Sequence, residues 1–224
     1  MPPLSIVIPV GPGDTAWRGL VGRLTEHLPQ ADIVVSAAEP PTPAPRRSGI
    51  RWVHGPSGRA AQLNRGIDSA HGERLWLLHA DSRPDPIALA AAKRFAREMP
   101  ERAIGWFDLA FGDDGPGRAR LNAAGANLRS RFAQLPFGDQ GWMMRRSVVE
   151  SVGRFDPGFG RGEDLEFVVR ATARGIQLVR IGAHLRSSAR RYRESGWLTT
   201  TLAHAFHTLV YYRKARARLK TMPR

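Results

Sequence analysis

The sequence predicts an α/β fold in which helices cover both faces of a mostly parallel β-sheet. Over the first 111 residues, short runs rich in Ile, Val and Leu alternate with segments whose apolar residues have helical spacing. The strand runs are mostly apolar at both alternating positions, as expected of strands that are buried on both faces. The chain has 224 residues, of which 42% are hydrophobic, so a sizeable core can form.

Five strands are predicted in the first half of the chain, at residues 4–10, 33–37, 50–54, 75–79 and 104–111. The helices between them are predicted to begin after Asp14, Ser57 and Asp85, and to end near residues 28, 70 and 99. Asp and Ser are favourable N-cap residues, and Pro86 suits the first helical position. A proline-rich loop is predicted between the second and third strands, because proline does not join the interior of a sheet. The prolines of this loop are Pro40, Pro41, Pro43 and Pro45.

The second half alternates less regularly. We predict a helix at 118–135, a mixed stretch at 139–160, a helix from Glu163, a strand at 176–181 and a long helix at about 196–219. One compact domain, residues 1–224, is expected. One face of the last helix is apolar, formed by Leu198, Leu202, Phe206, Leu209 and Val210. Core packing is the first expectation for this face, and docking on a membrane surface is the alternative.

The formal net charge of +14 is concentrated near the C-terminus. Residues 180–224 contain eleven Lys and Arg side chains and a single acid, Glu194, so they hold ten of the fourteen excess charges. This pattern favours an anionic partner, such as a phosphate-bearing substrate, a lipid headgroup or nucleic acid. Nucleic acid is the least expected of these, and a solvated basic tail is the structural alternative.

The absence of cysteine excludes disulfides, thiolate metal sites and cysteine nucleophiles. The apolar run 4–10 is too short for a signal peptide or a membrane span. We therefore expect an unprocessed cytoplasmic protein, with peripheral contact to the inner face of an anionic membrane through the basic C-terminus as a further expectation.

The first strand leads into a glycine-rich turn that fits a dinucleotide fingerprint. Gly11, Gly13 and Ala16 have the required spacing, and Glu39 could bind a ribose. This makes an NAD(P)-dependent oxidoreductase an alternative hypothesis. Against it, Asp14 would place a carboxylate beside the pyrophosphate.

Two further segments place polar residues where sheet ligands bind. The start of the second helix is a candidate phosphate cradle, with Gly58, Arg59, Gln62 and Asn64 close together. His79 and Asp81 end the most apolar strand, and period-two geometry places them on the same side. An oxygen ligand with an optional imidazole could hold Mg²⁺ or Mn²⁺ on a diphosphate. A capped surface helix and a plain turn are the structural alternatives.

Glu163 and Asp164 begin a later helix. Acidic residues in a first turn are favoured by the helix dipole alone, by ~0.3–1 kcal/mol. The functional interpretation is a general base, which requires a carboxylate within reach of an acceptor hydroxyl.

Taken in order, these stretches resemble the family-2 inverting glycosyltransferases of the GT-A fold. The matching motifs are residues 5–10 (SIVIPV), 64–66 (NRG), 70–72 (AHG), the acidic end of the fourth strand, and the Glu163–Asp164 pair. Residues 78–81, 136–141 and 187–192 look still more like a small bacterial subgroup of selenodomain-associated or arsenosugar-type transferases.

The resemblance implies a UDP- or GDP-linked sugar donor, an acceptor hydroxyl and a divalent cation, Mg²⁺ or Mn²⁺. It divides the chain into a nucleotide-sugar half at 1–112, an acceptor and catalytic half at 113–195, and a basic helix at 196–224. Asp164, helped by Glu163, would deprotonate the acceptor. The donor would be bound by Pro9, Val10, Glu39, Gly58, Arg59, Gln62, Asn64, Asp81, Arg190 and Arg191. The metal would be held by Asp81 and His79, and the acceptor pocket lined by Asp139 and Gln140.

The sequence departs from the family pattern at two places. The second strand lacks the usual nucleoside-binding acid, for which only Glu39 could substitute, and His79 replaces the first acid of the Asp-x-Asp motif. A non-catalytic binding protein on a degenerate transferase scaffold is therefore a third hypothesis, in which the basic C-terminus holds a polyanion or a membrane.

Overall fold

The computed structural model describes residues 4–40 and 49–221. In these residues, seven strands form one sheet in the order β3-β2-β1-β4-β6-β5-β7. Only β6 is antiparallel to its neighbours, β4 and β5. The α/β prediction with a mostly parallel sheet is confirmed.

The strands are β1 (Leu4–Val10), β2 (Asp32–Ala37), β3 (Ile50–His54), β4 (Arg74–Leu77), β5 (Ala103–Phe111), β6 (Trp142–Arg145) and β7 (Gln177–Ser187). The helices are α1 (Trp17–His27), α2 (Arg59–Ser69), α3 (Pro86–Glu98), α4 (Ala119–Phe132), α5 (Arg146–Val152), α6 (Glu163–Ala173), α7 (Arg190–Glu194) and α8 (Trp197–Thr221). Short 3₁₀ turns lie at Gly138–Gln140 and Pro157–Phe159.

Helices cover both faces of the sheet. Along β1, Ile6, Ile8 and Val10 face a core layer that contains α1 and α3, whereas Val7 faces a second layer that contains α2, α5 and α6. The side chains of β1 therefore alternate between the two layers. This arrangement explains why the strand is apolar at every position except Ser5, whose hydroxyl donates a 2.7 Å hydrogen bond to Asp32.

Several boundaries differ from the sequence prediction. α1 begins at Trp17 with Ala16 as its N-cap and no side-chain cap, so the prediction that Asp14 caps this helix is wrong. β4 ends at Leu77, so His79 lies in the following turn and not in a strand. The N-cap of α2 is Gly58, with a φ of 116° and no side-chain cap, so the prediction that Ser57 caps this helix is wrong. β7 continues to Ser187 because it pairs with β5 along its length, across an irregularity near Trp106. Pro41, Pro43 and Pro45 of the predicted loop lie outside the described residues.

The long helix α8 does not bury its apolar face. Leu198, Leu202 and Phe206 are about 60% exposed, at 59%, 61% and 64%, so the expectation of core packing is wrong for this face. The helix instead packs through its other side, where Ala215 is buried against α6. Across residues 4–40 and 49–221, the structure has no helix with the length and apolarity that crossing a membrane requires.

Candidate active site

The candidate site lies at the carboxyl edge of the sheet, beyond the ends of β4 and β7. The turn after β4 is closed by a 3.0 Å hydrogen bond from the Ser82 amide to the His79 carbonyl. In this turn the Asp81 carboxylate accepts a 3.2 Å hydrogen bond from the Ser187 hydroxyl at the end of β7. Ligands of open α/β sheets bind at this edge. Asp81 is thus placed by a turn, and not by the strand alternation that the sequence suggested.

Gly138 lies between His79 and Asp164. Its amide donates a 3.0 Å hydrogen bond to Asp164 Oδ2, and Asp164 Oδ1 accepts a 2.8 Å bond from the Leu165 amide. A Cβ atom on Gly138 would lie 3.0 Å from His79 Nε2 and 3.5 Å from Asp164 Oδ2. The imidazole and the carboxylate therefore both face the α-carbon of this glycine. Each oxygen of Asp164 keeps a lone pair for a further hydrogen bond.

Glu163 connects the start of α6 with the start of α2. Its side chain is buried, and its Oε1 atom lies 3.4 Å from the Arg59 guanidinium. Burial raises the pKa of Glu163, and the charge of Asp164 raises it further, while Arg59 opposes both. The contact brings together residues 104 positions apart in the chain.

His79 is a neutral imidazole in this setting. Burial lowers its pKa well below the usual value, and the positive charges of Arg59 and Arg191 lower it further. The charge of Arg191 therefore acts on the candidate site. Arg190, by contrast, is exposed and forms an ion pair at 3.4 Å with Glu194.

Asp139 is half-buried, and one of its carboxylate oxygens is shielded from water. Its Oδ1 atom is buried and has no hydrogen-bond partner among the described residues. Burial raises the pKa of Asp139 to about 6, although the nearby Arg129 guanidinium opposes this shift. A buried oxygen without a partner is costly unless a ligand or water supplies a donor. Asp139 is thus suited to accept a hydrogen bond from a bound molecule.

A small open cleft lies beside several of these groups. Its polar lining comes from Arg59, His79, Gly138 and Asp164, and its apolar lining from Leu63, Leu77, Leu78, Trp142 and Phe155. The cleft therefore presents a cation, a neutral imidazole and a carboxylate to a molecule bound at the sheet edge.

Three of the predicted site residues direct their side-chain amides at the backbone. Asn64 exchanges two hydrogen bonds with the main chain of Phe155, at 2.7 and 3.0 Å. Gln62 donates to the carbonyl of Val10, and the fully buried Gln140 donates at 3.1 Å to a β5 carbonyl. These side chains hold the walls of the site in place.

The other predicted donor residues lie along the first strands. Pro9 and Val10 are buried at the end of β1, in register with Ser36 and Ala37 of β2. Gly58 is exposed, with open space where a Cβ would stand. Glu39 is exposed, and no hydrogen bond or ion pair holds it within the described chain.

In the glycine-rich turn after β1, the carboxylate of Asp14 binds a backbone amide of the same turn. Asp14 accepts a 2.9 Å hydrogen bond from the Ala16 amide, and the helix begins only at Trp17. In a dinucleotide fingerprint, amides at such a helix start bind the pyrophosphate. The geometry therefore does not favour the oxidoreductase alternative.

The predicted metal ligands form a partial set. Among the described residues, no group of three His, Cys, Asp or Glu side chains is placed to hold a metal ion. Asp81 nevertheless has a second carboxylate oxygen that is not used in the bond to Ser187. Mg²⁺ is commonly bound by one or two carboxylates together with substrate phosphates and water. These residues fit a cation shared with a diphosphate better than one held by the protein alone.

Sequence reasoning did not find Arg129 and Tyr192. The Arg129 guanidinium stacks over Phe137 at 3.5 Å and donates to the carbonyl of Leu135 at 2.9 Å. Burial raises the pKa of Tyr192 to about 12, and the charge of Asp139 adds to this shift. Arg129 belongs to no distinctive motif, because arginine is abundant throughout this chain, whereas Tyr192 lies in the 187–192 stretch of the resemblance and was assigned no role there.

No protein-family model matches the chain, and no curated protein matches it. Three solved structures have similar folds. The mannosyltransferase PcManGT from Pyrobaculum calidifontis, in complex with GDP-Man and Mn²⁺, has a TM-score of 0.68 at 15% identity, covering 96% of this chain and 64% of that one. The glucosyl-3-phosphoglycerate synthase from Mycobacterium tuberculosis, in complex with Mn²⁺, UDP and phosphoglyceric acid, has a TM-score of 0.63 at 16% identity, covering 94% and 78%.

S. aureus TarS, residues 1–349, has a TM-score of 0.61 at 12% identity, covering 83% of this chain and 60% of that one. The chain thus spans less than two thirds of the TarS and PcManGT chains that it matches. At these identities the likeness is one of fold. The chain has the GT-A fold of nucleotide-sugar transferases, and the comparisons single out no subgroup within it.

Proposed function

We propose that the chain is an inverting glycosyltransferase that moves a sugar from a UDP- or GDP-linked donor to an acceptor hydroxyl. The observation that carries the proposal is Asp164, which two backbone amides orient in a cleft that also contains His79 and Arg59. The GT-A fold supports the donor class.

In this proposal Asp164 is the general base. Its carboxylate accepts the proton of the acceptor hydroxyl as that oxygen attacks the anomeric carbon. The bond from the anomeric carbon to the diphosphate oxygen breaks as the new glycosidic bond forms on the opposite face of the sugar, so the configuration inverts. Glu163 helps Asp164 by holding the Arg59 guanidinium at the cleft.

The diphosphate would lie between α2 and the turn that contains Asp81. The guanidiniums of Arg59 and Arg191 suit phosphate oxygens. Asp81 and the neutral His79 would hold Mg²⁺ or Mn²⁺ together with the diphosphate, and a bound cation supplies stabilisation of the negative charge on the leaving group. Pro9 and Val10 would border the base, and Asp139 would accept a hydrogen bond from the acceptor.

Calorimetric titration with UDP, GDP and their sugar conjugates, with and without Mn²⁺, tests the donor class. We expect one nucleoside diphosphate to bind more tightly with Mn²⁺. NAD(H) in the same buffer serves as the comparison ligand. Binding of NAD(H) alone, or of no sugar nucleotide, contradicts the proposal.

The substitution Asp164→Asn tests the base. We expect donor affinity to remain and hydrolysis of the bound sugar nucleotide, in which water takes the place of the acceptor, to fall by about 10²-fold or more. Asp68→Asn is the matched control, because Asp68 is an exposed aspartate paired with Arg154 outside the cleft. Unchanged turnover in the Asp164 variant removes this residue from the mechanism.

A further inference from the structure

The exposed large hydrophobic side chains are concentrated on two helices. In the described part of the chain, Ile87 is the one such residue outside α4 and α8. The others are Leu121, Leu128 and Phe132 on α4, and Leu198, Leu202, Phe206, Leu209 and Val210 on α8, with exposed fractions from 40% to 81%. Contiguous apolar patches of this kind mark interaction sites, whereas scattered ones do not.

The two helices are joined where their apolar faces begin. The Asn122 side chain accepts a 2.6 Å hydrogen bond from Trp197 Nε1 and donates a 2.9 Å bond to Thr201 Oγ1. Leu121 and Leu202 are the chain neighbours of Asn122 and Thr201, so both exposed residues lie near the point where α4 and α8 meet. We call the eight exposed hydrophobic residues of these helices the α4/α8 face.

The opposite side of α8 is already used for packing. Tyr211 contacts the α-carbon region of Gly162, where an added Cβ would lie 2.8 Å from its ring. Lys214 donates to the carbonyl of Phe159, and Arg218 pairs with Asp156. The α8 part of the α4/α8 face therefore lies on the outward side of a helix whose other side is packed against the protein.

The apolar stripe of α8 continues into a cationic one. Arg213, Arg216 and Lys220 follow Leu209 at intervals of four, three and four residues, which keeps them on the same helix face. All three are exposed, and no ion pair within the described residues uses them. The helix Trp197–Thr221 has no acidic residue. On α4, the exposed Arg120 is the chain neighbour of the apolar Leu121, whereas Arg131 is engaged in an ion pair with the buried Asp108 at 3.0 Å.

We propose that the α4/α8 face docks on the surface of an anionic phospholipid bilayer. The leucine and phenylalanine side chains would enter the boundary between headgroups and acyl chains, and the neighbouring cations would bind lipid phosphates. The charge distribution favours a bilayer over a second copy of the chain. Parallel self-pairing of α8 would oppose Arg213, Arg216 and Lys220 to themselves, and antiparallel pairing would set them against leucines.

Docking has a consequence for the site, because α8 packs on the segment that precedes α6. Tyr211 and Lys214 contact Gly162 and Phe159, directly before Glu163 and Asp164. The bound protein would hold the candidate site close to the lipid surface. Vesicle binding itself requires no catalysis, so this inference can fail or succeed independently of the proposed function.

Co-sedimentation of the full chain with vesicles tests the inference. Vesicles of phosphatidylcholine alone are compared with vesicles that also contain phosphatidylglycerol, at low and high salt. We expect binding to the anionic vesicles that weakens steeply with salt. The double variants Leu202→Glu/Phe206→Glu and Arg213→Glu/Arg216→Glu should each lower the partition coefficient by about tenfold or more. Ile87→Glu is the matched control, since Ile87 is 73% exposed on α3, and it should bind like the unaltered chain.

Thermal unfolding of the same variants shows whether they remain folded, which is expected for exposed positions. The inference is overturned if the unaltered chain does not bind anionic vesicles at low salt, or if neither double variant binds more weakly than the control. It is also overturned if the lipid-free protein sediments as a dimer that Leu202→Glu/Phe206→Glu dissociates and that does not bind vesicles.

Discussion

At the scale of single residues, Gly138 sets the spacing between the two groups nearest the proposed chemistry. Its missing side chain leaves the position that a methyl group would take, 3.0 Å from His79 Nε2 and 3.5 Å from an Asp164 oxygen. We expect Gly138→Ala to displace one of these groups and lower turnover of the sugar nucleotide by about 10²-fold, because small misplacements at a reacting centre are costly. Thermal unfolding should change little.

The control for this variant is Gly19→Ala in α1. Gly19 has open space where a Cβ would stand, so alanine should stabilise the helix by roughly 0.5–1 kcal/mol and leave turnover unchanged. Equal turnover in the Gly138 and Gly19 variants would show that the positions of His79 and Asp164 beside Gly138 do not matter for the reaction.

Asp139 makes folding stability depend on pH. Its carboxyl has a pKa of about 6 in the folded chain, raised from 3.8 by burial. The folded state therefore binds this proton more tightly than the unfolded state, and the carboxylate destabilises the fold as pH rises through this window. We expect Asp139→Asn to stabilise the chain by about 3 kcal/mol above pH 6, or roughly 6–12 °C in Tm.

Near pH 4 the carboxyl is protonated in the folded chain, so the same substitution should have little effect on Tm there. The exposed Asp113 provides a comparison, because Asp113→Asn should leave Tm nearly unchanged across the range. A gain in Tm for Asp139→Asn that is equal at both ends of the range would contradict a buried, titrating carboxylate.

At the scale of elements, the success of sequence prediction follows whether a glycine ends the apolar run of the segment. β1 and β3 have the predicted bounds because their apolar runs end at Gly11 and Gly55. β6 and α5 fall in the stretch interpreted as mixed, since Trp142–Arg145 is four residues long and gains its strand character by pairing between β4 and β5. The face of α8 was assigned to the core because periodicity shows that a helix is one-sided, but not what covers that side.

The start of α3 shows a cap that sequence alone could identify. Asp85 accepts a 2.8 Å hydrogen bond from the Ala88 amide, and Pro86 takes the first helical position. We expect Asp85→Ala to lower the free energy of unfolding by about 1 kcal/mol, measured by urea denaturation. Ser57→Ala should cost almost nothing, since no side chain caps α2. A similar loss of unfolding free energy in Asp85→Ala and Ser57→Ala would mean that the hydrogen bond from the Ala88 amide to Asp85 does not stabilise α3.

At the scale of the whole molecule, the candidate site depends on contacts that span most of the chain. Arg59 meets Glu163 across 104 positions, and Ser187 meets Asp81 across 106. Sequence reasoning assigned site roles to Arg59, Asp81 and Glu163 without any knowledge of their contacts. Ser187 lies in the 187–192 stretch of the resemblance but was given no role. Both Ser187 and Arg129 act through tertiary packing, which no local spacing records.

A site assembled from both ends of the chain should link ligand binding to global stability. Nucleoside diphosphate with Mn²⁺ would bind α2, the turn after β4 and α7 together, and these elements are in contact only in the folded chain. At a ligand concentration about 100-fold above Kd, we expect a stabilisation of about 2.7 kcal/mol, seen as a rise of several degrees in a single thermal transition.

Asp81→Ala should remove the part of this rise that depends on Mn²⁺ while leaving the Tm of the unliganded chain nearly unchanged. The reason is that Asp81 makes one side-chain hydrogen bond, at 3.2 Å, which contributes little to the fold. A ligand that raised the Tm of the variant as much as that of the unaltered chain would place the cation elsewhere. Two separate transitions, of which the ligand moved only one, would show that the two halves of the site do not fold as a unit.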